Sequence, residues 1–502
     1  MVKMKKGILL VTGRNASQAV EEYAGKFPVR IHSCSENVAA LLSAKGILEE
    51  LSGENLDGIS MIIVPGAVRG DVSVIQEKLG IPAWKGPRNL VDLPFVLEKV
   101  SSGMELSAKI PADEILGDEI KKEIEKELDR AYKPDKFSMK IGEKIFLGSG
   151  ISHVIAEIPD APMLNKEDIQ RIAGYYEESG AEIIDIGMVA GEDNSAKVAE
   201  IVGAVRDSTD LPVAIDSLQE REILAAVDAR VDLVLSLDLT NYEISDSLDV
   251  PAVIIPRDEN GKLPKNVDDR IKILENLMGK VENFIVDPVL EPPNLGLVGS
   301  LGSYVRFRDE YPDVPMLMGA GNVTELMDAD SPGINALLAS MASELEIDLL
   351  FTTEASKKTF GAVRELSTAV KMAYLAKARK QAPKDLGISL LMLKDKKEVP
   401  QVDAQRFDAI KPIDVKEGEE SGIDTFEFRV YLEDGKINII YLRGNDPGLR
   451  FRGTRAKDLY IEITKRGLVE NAEHAAYLGR ELTKAEIALV LGKNYMQDSA
   501  LF

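Results

Sequence analysis

The chain predicts an α/β protein: a central (β/α)8 TIM barrel, flanked by an N-terminal Rossmann-like α/β domain and a C-terminal α+β domain. Three observations predict it. Short apolar runs alternate with amphipathic segments from Gly7 to Lys380. Eight of these strand–helix units fall within residues 139–385, a usual span for a closed barrel. Beyond them the pattern switches to period-two alternation on either side of Asp434-Gly435, a hairpin signature.

The elements follow in order. In residues 1–103, Gly7–Thr12, Val29–His32 and Ile59–Val64 read as buried strands, with helices around Ala16–Lys26 and Val38–Leu51. That alternation predicts a small parallel sheet. The loops Thr12-Gly-Arg14 and Pro65-Gly-Ala-Val-Arg-Gly70 either admit an anion or nucleotide or simply make tight turns; no complete G-x-G-x-x-G is present. Residues 104–138 form a charged linker, in which Lys/Glu spacing from Asp113 to Arg130 marks an exposed helix.

In the barrel the strand candidates are Lys144–Leu147, Glu182–Ile186, Val213–Ile215, Leu233–Leu237, Ala252–Ile255, Phe284–Val286, Met316–Met318 and Leu349–Phe351. Helical segments such as Lys166–Ser179, Lys197–Asp207, Arg221–Arg230, Val267–Val281 and Thr359–Lys380 separate or follow them. In residues 386–502 a hairpin of Phe426–Leu432 and Ile437–Tyr441 precedes a helix through Glu473–Leu482. Between them lies a basic cluster: Arg443, Arg450, Arg452, Arg455, Lys457, Lys465 and Arg466. It reads either as an anion site, for a phosphate or a carboxylated cofactor tail, or as a surface paired with acidic groups.

Composition bounds the function. The 502 residues are too many for one core, and 45% hydrophobic with 29% charged is an ordinary globular mixture. Lys plus Arg total 61 against 84 Asp plus Glu, a net charge of −23, which argues against nucleic acid and anionic lipid as partners. A single cysteine, Cys34, excludes an intrachain disulfide framework, a Cys-rich zinc site and a self-contained iron–sulfur cluster. His32, His153 and His474 lie far apart, so no local metal-ligand spacing exists and no metal is expected. The apolar run Ile8–Val11 is too short for a signal-peptide core, and no stretch reaches membrane-spanning length. The expectation is a cytoplasmic protein.

Active-site residues of a barrel sit at the C-terminal ends of its strands. That rule selects Asp185, Asp216, Ser236, Asp287, Asn322 and Glu354. Asp216 and Asp287 each end an apolar strand, so their carboxylates are expected in the barrel mouth, joined by Asp185. Buried carboxylates need donors, and a flat aminopyrimidinone such as a pterin offers two adjacent N–H groups to one carboxylate. The competing reading is that each Asp caps the next helix.

Three segments carry a family resemblance: Tyr175-Tyr-Glu-Glu-Ser-Gly-Ala-Glu-Ile-Ile-Asp185-Ile-Gly187, Pro212-Val-Ala-Ile-Asp216-Ser217 and Val286-Asp287-Pro288. In order and position they resemble successive motifs of dihydropteroate synthase and of the pterin-dependent methyltransferases. The whole chain, including Glu473–Leu482, is similar to the archaeal dihydropteroate synthase-related proteins of three-domain type. The resemblance implies pterin binding by Asp185, Asp216, Ser236, Asp287 and Asn322, with Asp216 and Asp287 on the pyrimidine edge.

Departures divide the family's two reactions. The synthase's first-strand loop aligns with Gly148-Ser-Gly150-Ile-Ser-His153, its second with Met188-Val-Ala-Gly-Glu-Asp193. Its strand-seven Ser-Arg-Lys aligns with Ala320-Gly-Asn322, and its final Arg-x-His with Phe351-Thr-Thr353. Those positions serve diphosphate and p-aminobenzoate in the synthase, and expelling diphosphate needs cations; only Arg257, Lys357 and Lys358 remain as substitutes. By contrast, Gly319-Ala-Gly-Asn322-Val323 resembles the methyltransferase segment whose Asn approaches the methyl-bearing pterin nitrogen. That makes Asn322 the catalytic candidate, against its reading as a loop residue satisfying its own backbone. The superfamily's strand-four Asn aligns with Leu235, leaving Ser236 as its neighbour.

The resemblance therefore implies methyl transfer from a methylated reduced pterin of tetrahydromethanopterin or tetrahydrofolate type. A variant condensation and a non-catalytic pterin carrier stand as alternatives. The expected anion-binding residues are Arg257, Arg450, Arg452 and Arg455. No Asp-x-His-x-x-Gly corrinoid motif is present, so a corrinoid would come from a partner protein or be held by the N-terminal domain; a homodimer is the other partner expectation.

Overall fold

The computed structural model describes residues 7–394, 428–443, 446–469 and 472–501. The basic start Met1–Lys6 and the first hairpin residues, Phe426 and Glu427, lie outside them.

The first sheet holds β1 (Gly7–Gly13), β2 (Val29–Cys34), β3 (Ile59–Val64) and β4 (Ala83–Lys85), in the order β2-β1-β3-β4 and parallel throughout. Both faces are covered: the helices Ala44–Leu51 and Ser73–Leu79 pack on one, Ser17–Ala24 and Leu93–Ser101 on the other. That explains why the central strands β1 and β3 read as largely apolar runs, while the edge strand β2 carries Arg30 and His32. β4 has only three residues and left no run to recognise.

The charged linker is the helix Gly117–Tyr132, whose Ile124, Leu128 and Ala131 turn inward. Arg379, just past the last barrel helix, holds it through Glu127 (2.7 Å) and accepts the Tyr23 hydroxyl on its carbonyl (3.3 Å).

Lys144–Leu147 was expected as the first barrel strand. Its apolar residues instead form β6 (Ile145–Leu147), which pairs antiparallel with β5 (Met139–Ile141) as a separate hairpin. Ile141, Ile145 and Leu147 of this hairpin join the apolar cluster inside the barrel and form its floor. The first barrel strand is β7 (His153–Ile158), which His153 and Glu157 disguise in a hydropathy reading.

The other seven strands are β8 (Ile183–Gly187), β9 (Val213–Asp216), β10 (Leu233–Leu237), β11 (Ala252–Ile254), β12 (Phe284–Val286), β13 (Leu317–Gly319) and β14 (Leu349–Thr353). All neighbours pair in parallel. A bridge between Val286 and Met316, with the Val286 N–H donating to the Pro315 carbonyl (2.9 Å), closes the circle. Helices connect the strands except between β10 and β11, where a short 3-10 turn (Tyr242–Ser247) serves.

After the barrel, β15 (Phe428–Glu433) and β16 (Lys436–Arg443) form the expected hairpin. A third strand, β17 (Asp446–Gly453), adds to β16, and the helices Ala456–Lys465 and Ala472–Leu491 cover the sheet. The basic stretch read as a connection between hairpin and helix is thus largely strand and helix. Among the described residues, no helix is long and apolar enough to cross a membrane.

Candidate active site at the barrel mouth

Strand side chains alternate in direction with period two, so each barrel strand alternates between interior and helix-facing positions. The interior floor is apolar: Ile155, Ile183, Ala214, Leu233, Val253, Ile285, Leu317 and Leu349 share one cluster. Two residues further along four of these strands the interior position is acidic. Glu157 follows Ile155, Asp185 follows Ile183, Asp216 follows Ala214 and Asp287 follows Ile285. Register confirms the layer: Glu157 lies opposite Asp185, and Gly187 opposite Asp216. At Gly187 a Cβ would run into the Glu157 carboxylate, so glycine is what lets Glu157 lie across β8.

Asp185 is fully buried, and neither of its carboxylate oxygens has a hydrogen-bond partner among the described residues. Burial first, then the charges of Asp216 and Glu157, raises its carboxyl well above the usual range. Burial, then Asp287, pushes Asp216 up to about 6. Burial, then Asp216 and Glu325, pushes Glu157 up to about 8. Asp287 also rises to about 6 through burial, against the opposing help of Tyr304, the Val289 N–H and Arg270.

Asp287 is the best supported of the four. Its Oδ1 accepts the Tyr304 hydroxyl (2.5 Å) and the Val289 N–H (2.8 Å), so neither bond engages Oδ2. Fully buried Arg270 holds the loop that follows: its guanidinium donates to the carbonyls of Pro264, Pro288 and Val289 and pairs with Glu291. Neither Asp216 nor Asp287 caps its following helix by a hydrogen bond.

Asn322 is the second residue of the one-turn helix Gly321–Thr324 after β13 and is exposed. Its Nδ2 donates to the Leu290 carbonyl (2.8 Å), a bond to the loop after β12 and not to its own turn. Ser236 is buried, joined to its neighbour by a cis peptide bond at Leu235–Ser236; its N–H donates to the Ser217 carbonyl. Its carbonyl accepts from Asn241, a buried amide whose remaining bonds go to Asp238 and Leu218.

The cations are occupied elsewhere. Arg257 pairs with buried Asp238 (3.2 Å) and donates to the Gly261 carbonyl. Lys357 donates to Asn494, and Lys358 pairs with Asp328. Glu354 accepts the Tyr175 hydroxyl and the Val363 N–H and so anchors the last barrel helix. Arg450, Arg452 and Arg455 lie in the C-terminal unit, bonded to Glu433, Asp434 and Asp458.

The structure therefore brings Asp185, Asp216 and Asp287 together and adds Glu157, which sequence reading missed. A partial signal was present: Glu157 interrupts the apolar run Val154–Ile158 near its C-terminal end, but Lys144–Leu147 already filled the first-strand slot. The loop after the true first strand is Pro159-Asp-Ala-Pro162, not Gly148–His153. Chemically, Glu157, Asp185 and Asp216 offer carboxylate oxygens within 4.8 Å of one another, enough to hold a cation or a donor-rich ring.

Known proteins bear on this geometry. Over 522 aligned residues the chain is 34% identical to uncharacterized protein MJ0107 of Methanocaldococcus jannaschii, covering 99% of both. A segment of 170 residues is 22% identical to dihydropteroate synthase of Clostridium beijerinckii, covering 30% of this chain and 63% of that protein. The chain belongs to the family of MJ0107, and part of it is related to dihydropteroate synthase. Within this family member, residues 422–498 match the family model PterinBD-DUF4346 and residues 6–88 match a family of unknown function, DUF6513. Among solved structures, Yersinia pestis DHPS aligns with a TM-score of 0.39 at 13% identity, over 48% of this chain and 99% of that one. The 7,8-dihydropteroate synthase of Vibrio fischeri aligns with a TM-score of 0.37 at 18% identity, over 49% and 100%.

Proposed function

We propose that this family member is a cytoplasmic pterin-dependent transferase of one-carbon metabolism, transferring a methyl group from a reduced pterin held at the barrel mouth. The observation that carries the reading is Asp185. A fully buried carboxylate without a partner, beside two more, is unfavourable unless a ligand brings N–H donors. The aminopyrimidinone edge of a tetrahydromethanopterin- or tetrahydrofolate-type pterin has donors at that spacing. Asp216 and Asp287 would accept from its pyrimidine edge and Asp185 from a further N–H of the ring, Ser236 would line the pocket, and Asn322 would stand near the departing methyl group. A corrinoid, as methyl acceptor, would arrive on a partner protein, and a homodimer remains part of the proposal.

Two observations favour methyl transfer over condensation. Arg257, Lys357 and Lys358, the remaining candidates for a diphosphate site, are each engaged by other groups. Asn322 is exposed and oriented by a neighbouring loop. Three of the four sheets, each with its own apolar cluster, support units within residues 1–103, 139–385 and 386–502, and the proposed linker 104–138 packs Leu116 on the first and Ile124 and Leu128 on the barrel.

The test titrates the protein with a panel of reduced pterins by fluorescence, then measures turnover. Methyl-tetrahydromethanopterin with cob(I)alamin, kept reduced by an added chemical reductant, should give methylcobalamin and the demethylated pterin, whose nitrogen takes up a proton. Hydroxymethyl-dihydropterin diphosphate with p-aminobenzoate should give nothing; product in that assay alone would establish condensation. Tight binding without product in either would make the protein a carrier, and no binding would remove the pterin.

A further inference from the structure

The N-terminal unit contains a second cluster of ligating side chains, remote in sequence from the barrel. His32 and Cys34 stand two apart on β2, the edge strand, and so share a face; that face meets the helix Ala44–Leu51, which supplies Glu50. One ring nitrogen of His32, the Cys34 sulfur and a Glu50 oxygen all lie within 4.8 Å of one another. We propose that His32, Cys34 and Glu50 form a binding site for a zinc-class divalent cation, with a fourth position open to solvent.

Four features support the site. His32 Nε2 is buried yet has no hydrogen-bond partner, an orphaned nitrogen aimed toward Glu50. It stands 3.6 Å from Glu50 Oε2. That is long for a hydrogen bond, but near the roughly 3.4 Å that separates two ligands each about 2.1 Å from a tetrahedral ion. The other ring nitrogen, Nδ1, faces Glu54 at 3.7 Å. A carboxylate behind the second nitrogen is the usual orienting partner of a metal-bound histidine. Glu50 is itself oriented, accepting the Ser35 N–H (3.0 Å) and hydroxyl (2.6 Å).

The donor set selects the ion. Imidazole, thiolate and carboxylate together suit zinc and its spectroscopic stand-in cobalt(II), whereas magnesium and calcium require oxygen. Cys34 is fully buried, and burial followed by the charge of Glu50 pushes its thiol up to about 12. A bound dication would reverse that balance and deprotonate the thiol. Access runs along the edge of the sheet, where the side chains of His32 and Glu50 are 15% and 29% exposed. The site would fasten an edge strand to its covering helix.

The full chain, stripped with a chelator and titrated with cobalt(II), tests the proposal. The expected result is one equivalent bound, with a thiolate-to-cobalt charge-transfer band in the near ultraviolet and tetrahedral d–d bands displaced by zinc. Cys34→Ser should abolish the charge-transfer band, and Glu54→Gln should weaken binding about tenfold while leaving that band in place. Asp185→Asn, in the barrel, should leave both unchanged. X-ray absorption at the zinc edge of the wild-type protein should show one sulfur among nitrogen and oxygen neighbours. A shell without sulfur, or a charge-transfer band that survives Cys34→Ser, overturns the site.

Discussion

The barrel mouth and the C-terminal sheet each concentrate one sign of charge, and they treat it in opposite ways. In the mouth four carboxylates converge with no cation bonded to any of them among the described residues: Asp185 has no partner, and Asp287 has a phenol and a backbone N–H, with Arg270 only nearby. On the C-terminal sheet the arginines are answered at once, Arg450 by Glu433 and buried Asn438, Arg452 by Asp434 in the β15–β16 turn. A run of like charge in a sequence therefore says little alone. Whether the fold supplies partners separates a surface that is complete in itself from a site that waits for a ligand. On the function proposed above, the mouth is the one that waits.

The largest effect should come from removing the carboxylates that meet the ligand. Asp216→Ala and Asp287→Ala should each weaken pterin binding by about 2–5 kcal/mol, the scale for leaving a buried charged hydrogen bond unpaired. Kd measured by fluorescence titration checks this, and unchanged affinity in both variants would break the contrast between the two regions. Asn322→Ala should act differently. It is exposed and does not join the carboxylate layer, so methyl-transfer turnover should fall by more than affinity; equal losses would make it a positioning group only.

Acidity sharpens the same contrast. Asp216 and Asp287 are pushed to about 6, so below that pH they hold protons and cannot accept from the ligand. Pterin affinity should accordingly rise between about pH 5 and pH 7 and then level. Stability should run the other way. A carboxyl whose folded pKa lies above its unfolded value favours the folded state only while protonated, so stability declines as pH rises from the ordinary carboxylate range through about 6, and through about 8 for Glu157. Asp185→Asn removes a buried carboxyl whose ionisation burial disfavours and gives its neighbours a donor. Its Tm in the absence of ligand should exceed wild type at pH 8 by about 2–4 °C, and by less at pH 4. A lower Tm at both values would show that Asp185 already has a stabilising partner.

How much of this was legible depended on where the signal lay. Asp185 interrupts an apolar strand near its C-terminal end, Asp216 ends one and Asp287 directly follows one, and the barrel rule converts that into a place. Glu157 obeys the same rule but was lost, because an apolar hairpin that plugs the floor looks, in one dimension, like a first strand. Arg270 was invisible for another reason: an arginine on an amphipathic helix reads as exposed, and only the folded loop shows its guanidinium spanning three carbonyls. β17 went unread because Pro447, Gly448 and alternate arginines resemble a basic loop more than a strand. His32, Cys34 and Glu50 lie within 19 residues in sequence, but only the packing of a helix on an edge strand turns them to one point.

The smallest expected effect belongs to the arginines. Arg452 is 42% exposed and its partner Asp434 72% exposed, so their bridge lies in water and is screened. Arg452→Gln should change stability by no more than about 0.2–1 kcal/mol, and pterin affinity not at all. Arg455→Gln, whose contact with Asp458 is longer at 3.6 Å, should do less. Arg450 is the exception within the cluster, since its loss would also strip a donor from the buried Asn438 amide. Inorganic phosphate provides the decisive control. If it protects the wild-type sheet from unfolding and fails to protect Arg452→Gln, the pairing with Asp434 is exchangeable. The basic face would then be a second waiting site, suited to the anionic tail of the same cofactor. If phosphate protects neither, the arginines serve the sheet alone, and ligand chemistry in this chain must be sought among its unpaired groups.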